Sequence, residues 1–217
     1  MVVQMPSGAS MNATVSPATA DPAEANTAAE LLYSSSPFIF DYVYEKVVSG
    51  AHENLKYHWL RARGILSHSL ALEARSDGRL VGLAVGFTQA EKTAHLPDTI
   101  KNLAERLSPA EVQSFERRYG LVSYLFPPVP DDGYYLQNLA VLPEARGRGV
   151  GEALFRAVAA KATSSGLNTL CLDAAHDIPA VSQYLKWGMR VLVESRVPEL
   201  DEAHGIVMRY RMVLPLD

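Results

Sequence analysis

The sequence has a single cysteine, Cys171, in 217 residues. No disulfide can form within the chain, and a reducing, cytoplasmic setting is expected. Basic runs are missing too, and the formal net charge is -4. That excludes the electrostatic footprint of a nucleic-acid binder. No apolar stretch approaches the ~20 residues of a membrane helix. No cysteine or clustered histidine spacing suggests a metal site. The first basic residue is Lys46, so the charged start of a signal or transit peptide is absent, and residues 1–11 read as a small, polar, disordered leader. What the chain does have is 48% hydrophobic residues, enough for one domain with a full core. A mildly acidic protein suits a cationic acceptor such as an amine, although solubility explains the charge equally well.

The most informative stretch runs from Tyr134 to Gly166. Its first part, YYLQNLAV, alternates and reads as a strand that Pro143 ends. A glycine-rich loop follows, Arg146-Gly147-Arg148-Gly149-Val150-Gly151. The rest is an amphipathic helix, with Val150, Leu154 and Val158 on one face and Glu152 and Arg156 paired four apart. Strand, glycine loop and helix in that order make an anion site. The helix start offers unpaired N–H groups and partial positive charge. Glycines let a phosphate approach the backbone, and Arg146 and Arg148 add fixed charge. The loop is neither Gly-x4-Gly-Lys-Ser/Thr nor Gly-x-Gly-x-x-Gly, so a Walker loop and a dinucleotide fingerprint are excluded.

With Arg146, Gly149 and Gly151 in its three fixed places, the loop instead matches Arg/Gln-x-x-Gly-x-Gly/Ala. It resembles the acetyl-CoA pyrophosphate loop of the GNAT acetyltransferases. A second segment strengthens the resemblance. In AVSQYLKWGM, Ala180, Tyr184 and Gly188 fall in register with the family's Ala-x-x-x-Tyr-x-x-x-Gly-Phe. Met189 stands in the phenylalanine's place. Asp177, read as the cap of that helix, stands where an asparagine that contacts the cofactor often sits. Upstream, Ser76-Asp77-Gly78-Arg79 reads as a hairpin turn between strands at 67–75 and 80–88. It resembles the family hairpin that precedes the acetyl-CoA strand.

Other segments are less specific. A helix headed by Asp21 and Pro22 should bury Ala25, Ala28, Ala29 and Leu32. The aromatic run 37–48 reads as a second helix and 51–63 as a third. Residues 89–133 form an insert, with helices at 98–107 and from a capping box at Ser108–Glu111; it would be a wall or lid over the acceptor site, or a dimer contact. The chain should end in strands at 190–197 and 205–213 joined by a 198–204 loop.

The resemblance implies an α/β fold: a mixed, mostly antiparallel sheet of about seven strands flanked by helices and splayed at the acetyl-CoA strand, spanning 12–217. It implies an N-acetyltransferase that moves an acetyl group from acetyl-CoA to an amine, by direct attack in a ternary complex. The implied cofactor contacts are Leu139, Ala140 and Val141, whose backbone would be unpaired, the loop residues Arg146, Gly147, Arg148, Gly149, Val150 and Gly151, then Asp177 and Tyr184. An N–H near Leu139 would stabilise the thioester oxygen, and Tyr184 would protonate the leaving thiolate. Phe38, Tyr42, Tyr135 and Asn138 are candidates for the acceptor pocket, which suggests a small molecule. Candidate bases are His176, Asp173, His204 and Glu194, with none singled out. A homodimer is common in the family. The competing reading is a non-catalytic acyl-CoA-binding sensor or regulatory module.

Overall fold

The Asp77-Gly78 turn shows how local chemistry sets the frame. Both residues have positive φ, 49° and 75°, the geometry that lets a two-residue turn follow the twist of a hairpin. In a computed structural model describing residues 11–216, this turn joins two strands of a seven-stranded sheet. The elements are β1 (Thr14–Pro17), α1 (Ala25–Ser34), α2 (Pro37–Tyr44), α3 (Gly50–Trp59), β2 (Ala71–Ser76), β3 (Arg79–Thr88), α4 (Gln89–Ala104) and α5 (Pro109–Ser123). They continue with β4 (Gly133–Val141), α6 (Val150–Ser164), β5 (Thr169–Ala175), α7 (Pro179–Lys186), β6 (Arg190–Ser195), α8 (Pro198–His204) and β7 (Arg209–Pro215). The strand order is β1-β2-β3-β4-β5-β7-β6. Every neighbouring pair is antiparallel except β4 and β5. The mixed, mostly antiparallel α/β fold expected from the sequence is the one observed.

Each face of the sheet carries its own core. One is packed by α1, α2 and α3 against Leu83, Val85, Phe87, Tyr135 and Ala140. The other is packed by α6 and α7 against Ala84, Tyr134, Leu136, Leu170 and Leu172. Strand β4 divides its side chains between the two. Val85 pairs with Asn138 and Gly86 with Leu136, so Gln137 is an extra, bulged residue. The bulge restarts the alternation: Leu136 and Leu139 belong to the α6 face, Tyr135 and Ala140 to the other. Gly86 is required opposite it. A Cβ there would stand 2.6 Å from the Tyr134 ring and 2.8 Å from the Tyr135 carbonyl.

Several expected boundaries shift. Residues 1–10 of the expected leader lie outside the described residues, and Met11 donates its N–H to the Arg148 carbonyl at 3.1 Å. Helix α1 begins after Asp21, which instead accepts from Ala23 N–H in the preceding turn. Helix α4 leaves β3 directly rather than at Asp98, because Thr88 and Glu91 form a capping box. The Ser108–Glu111 box of α5 is as expected. The 198–204 loop is a helical turn, α8. Asp177 does not cap α7, whose N-cap is Ile178.

Candidate functional site

The site is built where β4 leaves β5. The parallel pairing covers only Gly133–Thr169, Tyr134–Leu170 and Tyr135–Cys171; beyond it the two strands diverge. On its other edge β4 stays paired with β3 up to Val141. Leu142 N–H donates to the Val81 carbonyl, and antiparallel bonds recur at every second residue. Ala140 therefore bonds Leu83 across that edge, and Leu139 and Val141 turn their backbone groups to the open side. The expectation of three unpaired residues is corrected for Ala140, whose groups are used by β3. The Val141 carbonyl is met by the Arg146 Nε at 3.0 Å, which ties the glycine loop back to the strand.

The loop carries the features an anion needs. Gly147 and Gly149 have φ of 71° and 87°, values that a side chain would strain. Arg146, Gly147, Arg148 and Gly149 are exposed. Helix α6 starts without a side-chain cap. Its first internal bond runs from Ala153 N–H to the Gly149 carbonyl, so the N–H groups of Val150, Gly151 and Glu152 have no partner inside the helix. The donor set fits a pyrophosphate. Tyr184 lies on α7 across the same face, buried against Phe155 and Trp187 with ring centroids 6.3 and 5.7 Å away. Burial pushes its phenol up to about 12, so it stays protonated at neutral pH. Asp177 is exposed in the turn before α7.

The opposite face of β4 opens into a cavity of about 330 Å³. Tyr135, Gln137 and Asn138 line it from the sheet; Ile39, Phe40, Val43 and Tyr44 line it from α2; Leu96 and Phe115 come from α4 and α5. Phe38 and Tyr42 are not among its walls. Phe38 is 65% exposed, and Tyr42 packs against His204 and under the Arg118 guanidinium. Tyr42 is half-buried against the core on that face of the sheet, and the residues that α2 turns to the cavity are its neighbours Ile39, Phe40, Val43 and Tyr44. Asn138 is buried and donates to Ser35 Oγ at 2.7 Å. Tyr135 is buried, and desolvation, with Asp173 nearby, holds its phenol well above its ordinary value.

The four candidate bases are scattered: Glu194 is exposed on β6, and of the four only Asp173 lines the cavity. Asp173 accepts both Nε and Nη2 of Arg211 at 2.8 Å, with the two side chains almost wholly buried. His176 is exposed beside the Met208 carbonyl, and His204 packs on Tyr42. His58, not singled out in the sequence, lines the cavity, and burial lowers it to about 4. Cys171 is raised by burial to about 11 and stays a thiol. Lys92, Arg209 and Arg211 are further cavity residues that the sequence did not single out; Lys92 is on α4 and the two arginines are on β7, far from it in the chain. Among the described residues no group of three or more histidine, cysteine or acidic side chains could hold a metal, and no helix is long and apolar enough to cross a membrane.

A strand splayed from its parallel neighbour, leading through a glycine loop to an uncapped helix, offers the donors that a phosphate-bearing ligand needs. The chain belongs to the acetyltransferase (GNAT) family, whose sequence model matches residues 29–189, and it is an N-acetyltransferase. No curated protein matches it in sequence. Its fold is that of solved acetyltransferases. An N-acetyltransferase from Staphylococcus aureus Mu50 gives a TM-score of 0.68 at 15% identity, covering 93% of this chain and 100% of that one. The ribosomal-protein-S18-alanine N-acetyltransferase from Escherichia coli gives 0.53 at 15%, covering 94% of each. An N-acetylglutamate synthase from Neisseria gonorrhoeae, complexed with coenzyme A and N-acetyl-glutamate, gives 0.51 at 16%, covering 94% of this chain and 35% of that one.

Proposed function

We propose that the enzyme moves an acetyl group from acetyl-CoA to the amine of a small-molecule acceptor, by direct attack while both are bound. The observation that carries this reading is the end of β4–β5 pairing at Tyr135–Cys171, which leaves Leu139 and Val141 facing the opening between the glycine loop and the apolar cavity. Acetyl-CoA supplies an acetyl group activated as a thioester. Gly147, Arg148 and Gly149, the first N–H groups of α6, and the outer nitrogens of Arg146 hold the pyrophosphate. Leu139 and Val141 bond the pantetheine arm as an added strand would. Leu139 N–H donates to the thioester oxygen as it gains charge, a stabilisation larger in the transition state than before it. Tyr184, protonated at neutral pH, hands its proton or a strong hydrogen bond to the departing thiolate. Ala140 serves by anchoring β4 to β3, and Asp177 is retained as an edge contact to the cofactor.

The acceptor occupies the cavity, against Tyr135 and Asn138, with α4 and α5 as its wall. Of the two carboxylates that line the cavity, Asp173 is held by Arg211 and Glu116 is exposed on α5; the ammonium loses its proton to water before attack. The cations of the cavity lower that ammonium's pKa. A cytoplasmic setting and a homodimer belong to the same proposal. The test is CoA-thiol release from acetyl-CoA across a panel of small amines. Amine-dependent release that Tyr184→Phe reduces while acetyl-CoA affinity holds is the expected result.

The engagement of Asp173 by Arg211 favours one other reading, a sensor that binds acyl-CoA without turning it over. Amine-dependent thiol release rules it out. Tight acetyl-CoA binding with no release across the panel would establish it instead.

A further inference from the structure

The apolar cavity ends in charge. Lys92 on α4, Asp173 on β5, and Arg209 and Arg211 on β7 all line it. Lys92 feels both Arg211 and Asp173, and Arg209 feels Tyr135, Asp173 and, from outside the cavity lining, Asp177, so these side chains form one cluster. Three are cations and one is an anion. The anion is fully used, since Asp173 takes two donors of Arg211. The other donors of Arg211 go to the carbonyls of Pro128 and Pro127, at 3.0 and 2.5 Å.

Arg209 has no such arrangement. It is only 7% exposed, and its Nε is buried without an acceptor. Its guanidinium lies 5.5 Å from the Phe126 ring centroid. Lys92, half-buried, is in no ion pair among the described residues. Glu116, the other acid of the lining, sits on an exposed position of α5. A buried guanidinium with an unmet donor is costly unless an anion completes it. A guanidinium fork matches a carboxylate, and the apolar walls exclude the water that would otherwise compete.

We propose that the acceptor carries a carboxylate as well as its amine, on an apolar body: Arg209 and Lys92 hold the carboxylate, while Val43, Leu96 and Phe115 hold the body. Amino acids with apolar side chains have this chemistry. The amine is placed on the β4 side, by Gln137 and Asn138, the residues that precede Leu139. This assignment of the amine rests on the acetyl-transfer reading; the carboxylate pocket does not.

The test uses probes that lack an amine, so acetyl transfer plays no part in it. The full chain is titrated calorimetrically with 3-phenylpropanoate and 4-methylpentanoate, with their neutral amides, and with inorganic phosphate. Both carboxylates should saturate, and the amides should bind about tenfold more weakly or worse. Lys92→Met, and Arg209→Lys, which keeps the charge but loses the fork, should each weaken the carboxylates about tenfold. Neither variant should alter acetyl-CoA affinity, which also reports that the fold is intact. Amides that match the carboxylates would overturn the proposal. So would phosphate that binds in preference to both carboxylates, or carboxylates that do not saturate by about 10 mM, an affinity too weak for a built site. Carboxylate binding without any acetyl transfer would leave the pocket standing and remove the catalytic reading.

Discussion

In the proposed reading the two faces of β4 serve two ligands, and they are built by opposite means. The cofactor face uses backbone: the open edge at Leu139 and Val141, positive φ at Gly147 and Gly149, and the bare start of α6. The acceptor face uses side chains from α2, α4, α5, β4, β5 and β7 around an apolar cavity. The bulge at Gln137 is the seam between them. A backbone site is local in sequence and tolerates few substitutions at its glycines. A side-chain cavity draws on distant segments and can be retuned one wall at a time. The two should therefore fail independently.

The largest effect is expected from Gly149→Glu. It places a carboxylate and a strained Cβ where the pyrophosphate should lie, and acetyl-CoA affinity should fall by about a thousandfold. Binding of 3-phenylpropanoate should be unchanged, and a parallel loss there would break the separation. Tyr184→Phe should lower kcat about a hundredfold with acetyl-CoA affinity intact. The wild-type rate should rise with pH as the acceptor amine deprotonates, with no fall until the phenol ionises near 12. A falling limb near pH 8 would assign the acid elsewhere.

Acid sharpens the comparison from the other side. His58 is lowered to about 4 by burial first, then by Arg106 and Arg61. The unfolded chain therefore binds more protons between that value and the ordinary 6.5, and stability falls as pH drops through that window. Urea midpoints should show a loss of roughly 2 kcal/mol from pH 7.5 to 5 that His58→Gln removes. An unchanged pH slope in the variant would place the titrating group elsewhere. Leu96→Trp, which fills the cavity, should raise acceptor KM about tenfold without touching acetyl-CoA affinity. Phe38→Ala should change neither by more than about twofold, in line with surface substitutions generally.

That asymmetry also explains what was legible in the sequence. Arg146 to Gly151 and the Ala180–Tyr184–Gly188 register announce themselves because backbone geometry demands glycine at fixed spacings. The hairpin at Asp77-Gly78 was readable for the same reason, and the capping box at Ser108 because its two side-chain bonds fix a three-residue spacing. The cavity lining was legible only in part: Tyr135 and Asn138 were singled out and line it, while most of the other walls were not. Phe38 and Tyr42 were chosen for being aromatic in an aromatic run, but the face that helix α2 turns inward is decided by packing on α5 and the sheet, not by α2 alone. Ala140 was miscounted because strand parity depends on pairing with β3. Arg209 and Lys92 carry no local mark; only the topology brings β7 and α4 to one cavity. The start of α4 was missed because Thr88–Glu91 is a capping box hidden at the end of a strong strand.

The account stands on the cofactor half, and one calorimetric titration reaches it directly: the purified chain with acetyl-CoA, with free CoA and NAD as comparisons. Saturable binding of acetyl-CoA and CoA, absent for NAD and lost in Gly149→Glu, is the predicted result. No binding at millimolar acetyl-CoA would contradict it, and the splayed strand and glycine loop would then be a fold without its cofactor.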